Sequence, residues 1–150
     1  MQSAADLLPL TPSIEQLGRI IGNIAAPAFL LGAVASFISI LFSRMNRVID
    51  RSQYIHSIKG DDDSRAYLKA DLPRLRLRAQ MLNRSLYYSI LSAILTALII
   101  IVSFISAFYD SPHEYGVALL FIGALVTFCV SLVDLAREAR IALHDNDLRA

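Results

Sequence analysis

The chain has 150 residues, 55% of them hydrophobic and 18% charged, with a mean hydropathy of +0.52. That is too apolar and too sparsely charged for an ordinary soluble domain, and a net charge of +1 excludes a general attraction to nucleic acid. Three runs without Asp, Glu, Lys or Arg, residues 20–43, 85–109 and 115–133, are each long enough as helices to cross a hydrocarbon core of about 30 Å. The expected fold is all-α, a polytopic membrane protein with three transmembrane helices, the first two extended into a cytoplasmic antiparallel hairpin. A β-barrel is excluded because apolar stretches such as 97–102 lack period-two alternation.

Residues 1–19 form the expected external N-terminal segment. Thr11 reads as an N-cap, with Pro12 at the first helical position and Glu15 in the first turn. Residues 1–18 contain no Lys or Arg, so a cleaved secretory signal is not expected and the first span should stay in the mature protein. Ile14, Leu17, Ile20 and Ile21 alternate with Glu15, Gln16 and Arg19 as an interfacial stretch would. Asn23 and Pro27 favour a bend in the outer part of the first span, 20–43.

Residues 44–84 make the expected cytoplasmic hairpin. Met45, Val48, Ile49 and Ile55 keep a helical rhythm until Gly60 and Asp61-Asp62-Asp63-Ser64, which read as a turn. Pro73 restarts a helix, and Leu75 and Leu82 should form an apolar seam with residues 45–58. From Leu72 or Pro73 to Phe108 no further Pro or Gly intervenes, which predicts a helix of about 54 Å carrying the second span, 85–109. After a short acidic turn at 110–114, the third span covers 115–133. Its helix should continue through Ala136 to about Leu143, before His144-Asp145-Asn146-Asp147 in the tail, 134–150.

Of the 14 Lys and Arg residues, one precedes the first span, ten lie in 44–84, none separates spans two and three, and three follow span three. The positive-inside rule then puts the hairpin and C-terminus in the cytoplasm and the N-terminus outside.

Small and polar residues fall in strips. On the first helix Gly32, Ser36, Ser39, Ser43, Asn46 and Asp50 recur at spacings of four and three, a heptad-like line from mid-membrane to the hairpin. The second helix carries Ser85, Ser89, Ser92 and Thr96, then Ser103 and Ser106; the third carries Gly116, Gly123, Thr127, Ser131 and Asp134. Such strips serve close helix packing in lipid. Alternatively, the first helix's strip lines a water-filled path in a homo-oligomer, with Asn46 and Asp50 ringing its inner mouth.

Charge collects where the spans leave the membrane. Asp134 and Glu138, one turn apart and interleaved with Arg137 and Arg140, read as a boundary cluster with Arg44, Arg47 or Arg84, or else as a cation or proton site. Lys69, Arg74, Arg76 and Arg78, with Arg84, form a basic cluster near the membrane that is a candidate for anionic lipid head groups, or else serves only to hold the loop inside. The contiguous Asp61 to Asp63 lacks the spacing of a calcium loop. His56, His113 and His144 are scattered, and Cys129 is the single cysteine. These features point to no metal, no cofactor and no catalytic residues, and hence to a protein that is not an enzyme.

The stretch Arg44-Met45-Asn46-Arg47-Val48-Ile49-Asp50-Arg51, reading R-x-x-R-V-x-D-R, follows an apolar span with Pro27 in its outer half. Leu75-Arg76-Leu77-Arg78 leads into the long second span, and the acidic Asp134 closes the third. Over roughly residues 20–145 this resembles the bacterial membrane family catalogued as domain of unknown function 2721. The resemblance implies a three-helix inner-membrane protein and carries no mechanism.

The residues themselves favour a homo-oligomeric membrane protein forming an ion-conducting ring lined by the first helix. The competing expectation is a non-conducting scaffold, or a regulatory subunit of a larger transporter, whose cytoplasmic hairpin docks a protein partner.

Overall fold

The computed structural model describes residues 14–57, 66–109 and 114–147, and these are almost wholly helical. Helix α1 is Ile14–His56, α2 is Leu72–Tyr109 and α3 is Glu114–Asp147, with a short 3-10 helix at Ala66–Asp71 leading into α2. All three α-helices contain stretches long and apolar enough to cross a membrane, and the chain is a three-helix membrane protein. Their lengths of 43, 38 and 34 residues correspond to about 65, 57 and 51 Å, so each overshoots the hydrocarbon core. The expected N-cap at Thr11, the turn at Gly60 to Ser64 and residues 110–113 lie outside the described residues.

Helix α2 is the middle of the fold. It packs along its length against α1 on one side and α3 on the other, while α1 and α3 meet at few places. One of these is an edge-to-face contact between Phe37 and Phe128, with ring centroids 5.4 Å apart and planes at 87°.

Burial repeats every seven residues. Along α1 the buried positions include Pro27, Val34, Leu41, Val48 and Ile55; along α2, Leu75, Leu82, Ser89 and Thr96; along α3, Ala124, Ser131 and Glu138. A sustained seven-residue seam is the signature of helices packed in a left-handed supercoil. Pro27 falls on this seam inside α1, where it removes one i to i−4 hydrogen bond without ending the helix.

The chemistry of the seam changes along the bundle. Phe37, Leu41, Val48, Ile55, Leu75 and Leu82 form an apolar core, bordered by Met45, Leu68, Leu72, Ala79, Leu86, Phe128 and Leu135. Most of it lies beyond the uncharged runs, where water drives burial worth about 1.5–3 kcal/mol per large side chain. Within the runs, α2 meets α3 through hydroxyls. Ser131 Oγ donates to Ser85 O (2.6 Å), Ser85 Oγ to Ser131 O (2.8 Å) and Ser92 Oγ to Ala124 O (2.8 Å), while Ser89 Oγ lies 2.7 Å from Ser131 Oγ. Lipid supplies no hydrophobic drive between helices, so these bonds and the small residues around them take its place.

The outside of the bundle is apolar. Phe29 is 82% exposed, and Ile94, Leu98, Ile101, Leu119, Ile122 and Val126 are also exposed, a surface suited to acyl chains and not to water.

Two element boundaries differ from the sequence pattern. Helix α3 runs to Asp147 instead of stopping near Leu143, because Asp and Asn cost only fractions of a kcal/mol each and neither Pro nor Gly intervenes. Residues 66–71, expected to belong to the linker, make a 3-10 turn whose Leu68 packs on the apolar core.

The two kinds of seam predict different mutational costs. Leu82→Ala should lower unfolding stability by about 2–5 kcal/mol, the range for emptying a well-packed core site. Ser89→Ala should cost about 0.6 kcal/mol, the average for an interhelical hydrogen bond in lipid. Equilibrium unfolding in mixed micelles, followed by helical circular dichroism, checks the order.

Candidate functional site

Two constellations carry polar chemistry. The first is the strip on α1. Because α1 buries the positions of Val34, Leu41 and Val48, the residues on its far side point out of the bundle. Gly32, Ser36, Ser39, Ser43, Asn46 and Asp50 are all exposed. Ser36 Oγ donates to Gly32 O of the same helix at 3.0 Å, and a Cβ added at Gly32 would meet nothing within 4 Å. Ala25, Ala28 and Ala35 flank the strip and are exposed too.

The hydroxyl strips of α2 and α3 are used differently. Ser85, Ser89, Ser92 and Thr96 are fully buried between the helices, with Ser131 opposite them. Thr96 donates to Ser92 O at 2.8 Å, and Thr127 to Ala124 O at 2.9 Å. These two strips join α2 to α3, whereas no segment of the same chain covers the α1 strip among the described residues.

The second constellation is a junction of charges from all three helices. Glu138 of α3 is fully buried. Arg78 of α2 places Nε 2.9 Å and Nη2 2.8 Å from its Oε1, and Arg44 of α1 donates from Nη1 to its Oε2 at 3.1 Å. The side chains of Arg44 and Arg78 are 42% and 25% exposed, so the carboxylate is sealed while its partners reach toward the surface. One turn earlier, Asp134 is buried beside Arg84, whose Nε lies 3.0 Å from Oδ2. The N–H is not aligned on that oxygen, which has no hydrogen bond, so the contact is ionic only.

Of the charged residues singled out in the sequence, Arg44, Arg84, Asp134 and Glu138 come together, while Arg47 and Arg137 are exposed at the margin of the junction. Lys69, Arg74 and Arg76 are exposed, but Arg78, grouped with them as a head-group candidate, is turned inward onto Glu138. The physical reason is register. Arg78 stands three residues after Leu75 and seven before Ser85, both buried, so its position lies on the seam and within reach of the buried carboxylate. His56 is held locally, its Nδ1 2.9 Å from Ser52 O. Asp61 to Asp63 and His113 lie outside the described residues, and Cys129 is exposed.

A protein-family model described as Protein of unknown function (DUF2721) matches residues 24–148. No curated protein and no solved structure matches the chain.

The junction predicts a specific asymmetry. Glu138→Ala leaves two arginines without their shared buried carboxylate and should destabilise by about 3–5 kcal/mol, the range for breaking a buried ion pair. Arg78→Met should cost more than Arg44→Met, because Arg78 is the more buried partner and makes both short contacts to Oε1. Unfolding titrations of the three variants check the ranking.

Proposed function

The chain belongs to the DUF2721 family, whose description assigns no activity, and we propose that it is a homo-oligomeric membrane protein whose subunits ring an axis with α1 innermost, forming an ion-conducting or otherwise solute-permeable path. The observation that supports this reading is the outward polar strip of α1. Gly32, Ser36, Ser39, Ser43, Asn46 and Asp50 are exposed, while the hydroxyl strips of α2 and α3 are buried against each other. A bundle of three helices is too thin to enclose a lumen, so a path requires several copies, and cyclic symmetry is the ordinary way to close such a ring.

In that arrangement the lumen from Gly32 to Ser43 carries hydroxyls and no fixed charge, which suits a wide and weakly selective passage. Asn46 and Asp50 form rings at the basic end, and the carboxylates of Asp50 set a preference for cations. The concentration of Lys and Arg in 44–84 and 134–150 orients this end toward the cytoplasm of a bacterial inner membrane. No step of this function needs catalysis or a cofactor.

A second reading is favoured by the open space at Gly32 and the neighbouring Ala25, Ala28 and Ala35. Small residues of this kind let helix backbones approach closely, and the same face would then be a dry contact in a non-conducting scaffold or regulatory subunit. Its hairpin would dock a protein partner.

The two readings separate on one set of experiments. With Cys129 replaced by Ala, Ser39→Cys should react readily with a membrane-impermeant thiol reagent if α1 lines water, and should be protected in a dry contact. Asp50→Asn should lower the cation-over-anion permeability ratio in planar bilayers. Recordings of the pure wild-type protein that stay silent across voltage, tension and pH contradict the conducting reading.

A further inference from the structure

The charge junction holds more arginine than its carboxylates consume. Both Arg44 and Arg78 are directed to Glu138, which leaves Asp134 to Arg84. Arg84 remains 60% exposed, and its ion pair engages Nε, so the two terminal nitrogens are available to another acceptor. Its guanidinium carbon lies 5.6 Å from the centre of the Tyr88 ring, a cation–π contact that holds the group against α2. Arg137, three residues beyond Asp134 on the same side of α3, is exposed as well.

These residues share one groove. Tyr88 stands seven residues before Leu95, and Arg137 fourteen after Gly123; a Cβ at Gly123 would lie 3.8 Å from Leu95 Cδ1 across the α2–α3 contact. Helix α1 is on the other side of the pair, packed on Ala79 and Leu86 of α2 and Phe128 and Leu135 of α3. The groove bearing Tyr88, Arg84, Asp134 and Arg137 therefore faces away from α1, toward lipid.

Its depth follows from the tyrosines. From Tyr88 to its end α2 rises about 32 Å, which matches a hydrocarbon core of about 30 Å. Tyrosines favour the two membrane–water interfaces, and Tyr87, 63% exposed and in edge contact with Tyr88, fits the same level. Arg84 then stands about one turn and Arg137 about two turns beyond the level of Tyr88, both at the head groups, with the exposed Val133 one turn inward of Arg137.

From this placement we infer that the α2–α3 groove is a binding site for an anionic phospholipid. Arg84 and Arg137 receive the phosphate, and the acyl chains lie along the groove past Val133 and toward Leu95 and Gly123. The charges are complementary: two arginines against the single carboxylate of Asp134 leave one positive charge, which a monoanionic phosphodiester neutralises. Free inorganic phosphate shares the anionic chemistry, but it makes no use of the apolar groove that continues into the membrane.

The test is equilibrium binding of fluorescent dioleoylphosphatidylglycerol and dioleoylphosphatidylcholine to the full-length protein in neutral micelles. The wild type should prefer the glycerol lipid. Arg137→Gln should weaken that lipid about fivefold, the equivalent of roughly 1 kcal/mol per basic residue at the membrane surface. The pair Arg84→Gln with Asp134→Asn, which leaves no orphaned carboxylate and keeps the net charge of the site, should also weaken the glycerol lipid, because the terminal nitrogens of Arg84 are lost, whereas Arg76→Gln on the hairpin should leave its binding unchanged. Equal affinity of the wild type for both lipids overturns the inference. So does a loss in Arg76→Gln as large as in Arg137→Gln, which would mean diffuse surface charge. Full competition by inorganic phosphate at the same concentration also overturns it, since the site would then be one for the free ion.

Discussion

Everything in this bundle depends on what α2 does with its hydroxyls. Helices in lipid gain nothing from hiding leucines from one another, so the reciprocal bonds between Ser85 and Ser131 and the bond from Ser92 to Ala124 O decide which helix α2 joins most closely. That partner is α3. Once α2 and α3 have used their small polar strips on each other, α1 is left to pack through Val34, Phe37, Leu41, Val48 and Ile55, and its own polar strip is turned out of the subunit. The exposed strip is thus a consequence of the α2–α3 pairing.

The three helices answer to two solvents. Across the uncharged runs α2 meets α3 through hydroxyls and small residues, while α1 packs through Val34, Phe37 and Leu41; beyond the runs, Val48, Ile55, Leu75 and Leu82 close a core of the ordinary water-driven kind. Glu138 stands at the change from one regime to the other. Its carboxylate ties α1 and α2 to α3 in a place where an unpaired charge would be costly, and the arginines that pair with it extend toward the surface. Together with the Phe37 and Phe128 contact, this is where α1 is held to α3, so any displacement of α1 within an assembly would work against this junction.

Much of the architecture is legible in the sequence because the membrane imposes lengths and forbids charge. Residues 20–43, 85–109 and 115–133 stand out for that reason, and the absence of Pro and Gly between Pro73 and Phe108 foretells the long α2. The facing of α1 is not legible in the same way. Inside a span nearly every residue is apolar, so amphipathic period does not mark the buried side, and the buried line begins at a proline, Pro27. The inward turn of Arg78 is equally hidden. It sits among Arg74 and Arg76, which are exposed, and its partner Glu138 is 60 residues away in the chain. The R-x-x-R-V-x-D-R stretch shows both outcomes in one motif, since Arg44 and Val48 face the bundle while Arg47 and Asp50 face outward.

The proposed assembly of copies through the outward face of α1 is open to a distance measurement. With Cys129 replaced by Ala, a nitroxide on Ser39→Cys in lipid nanodiscs would be read by double electron–electron resonance. A ring with α1 innermost gives a dipolar signal with a small set of short, discrete distances that vanishes on dilution with unlabelled subunits. A signal with no dipolar modulation in the undiluted sample would place Ser39 against lipid in an isolated subunit, and the assembly built on α1 would be wrong.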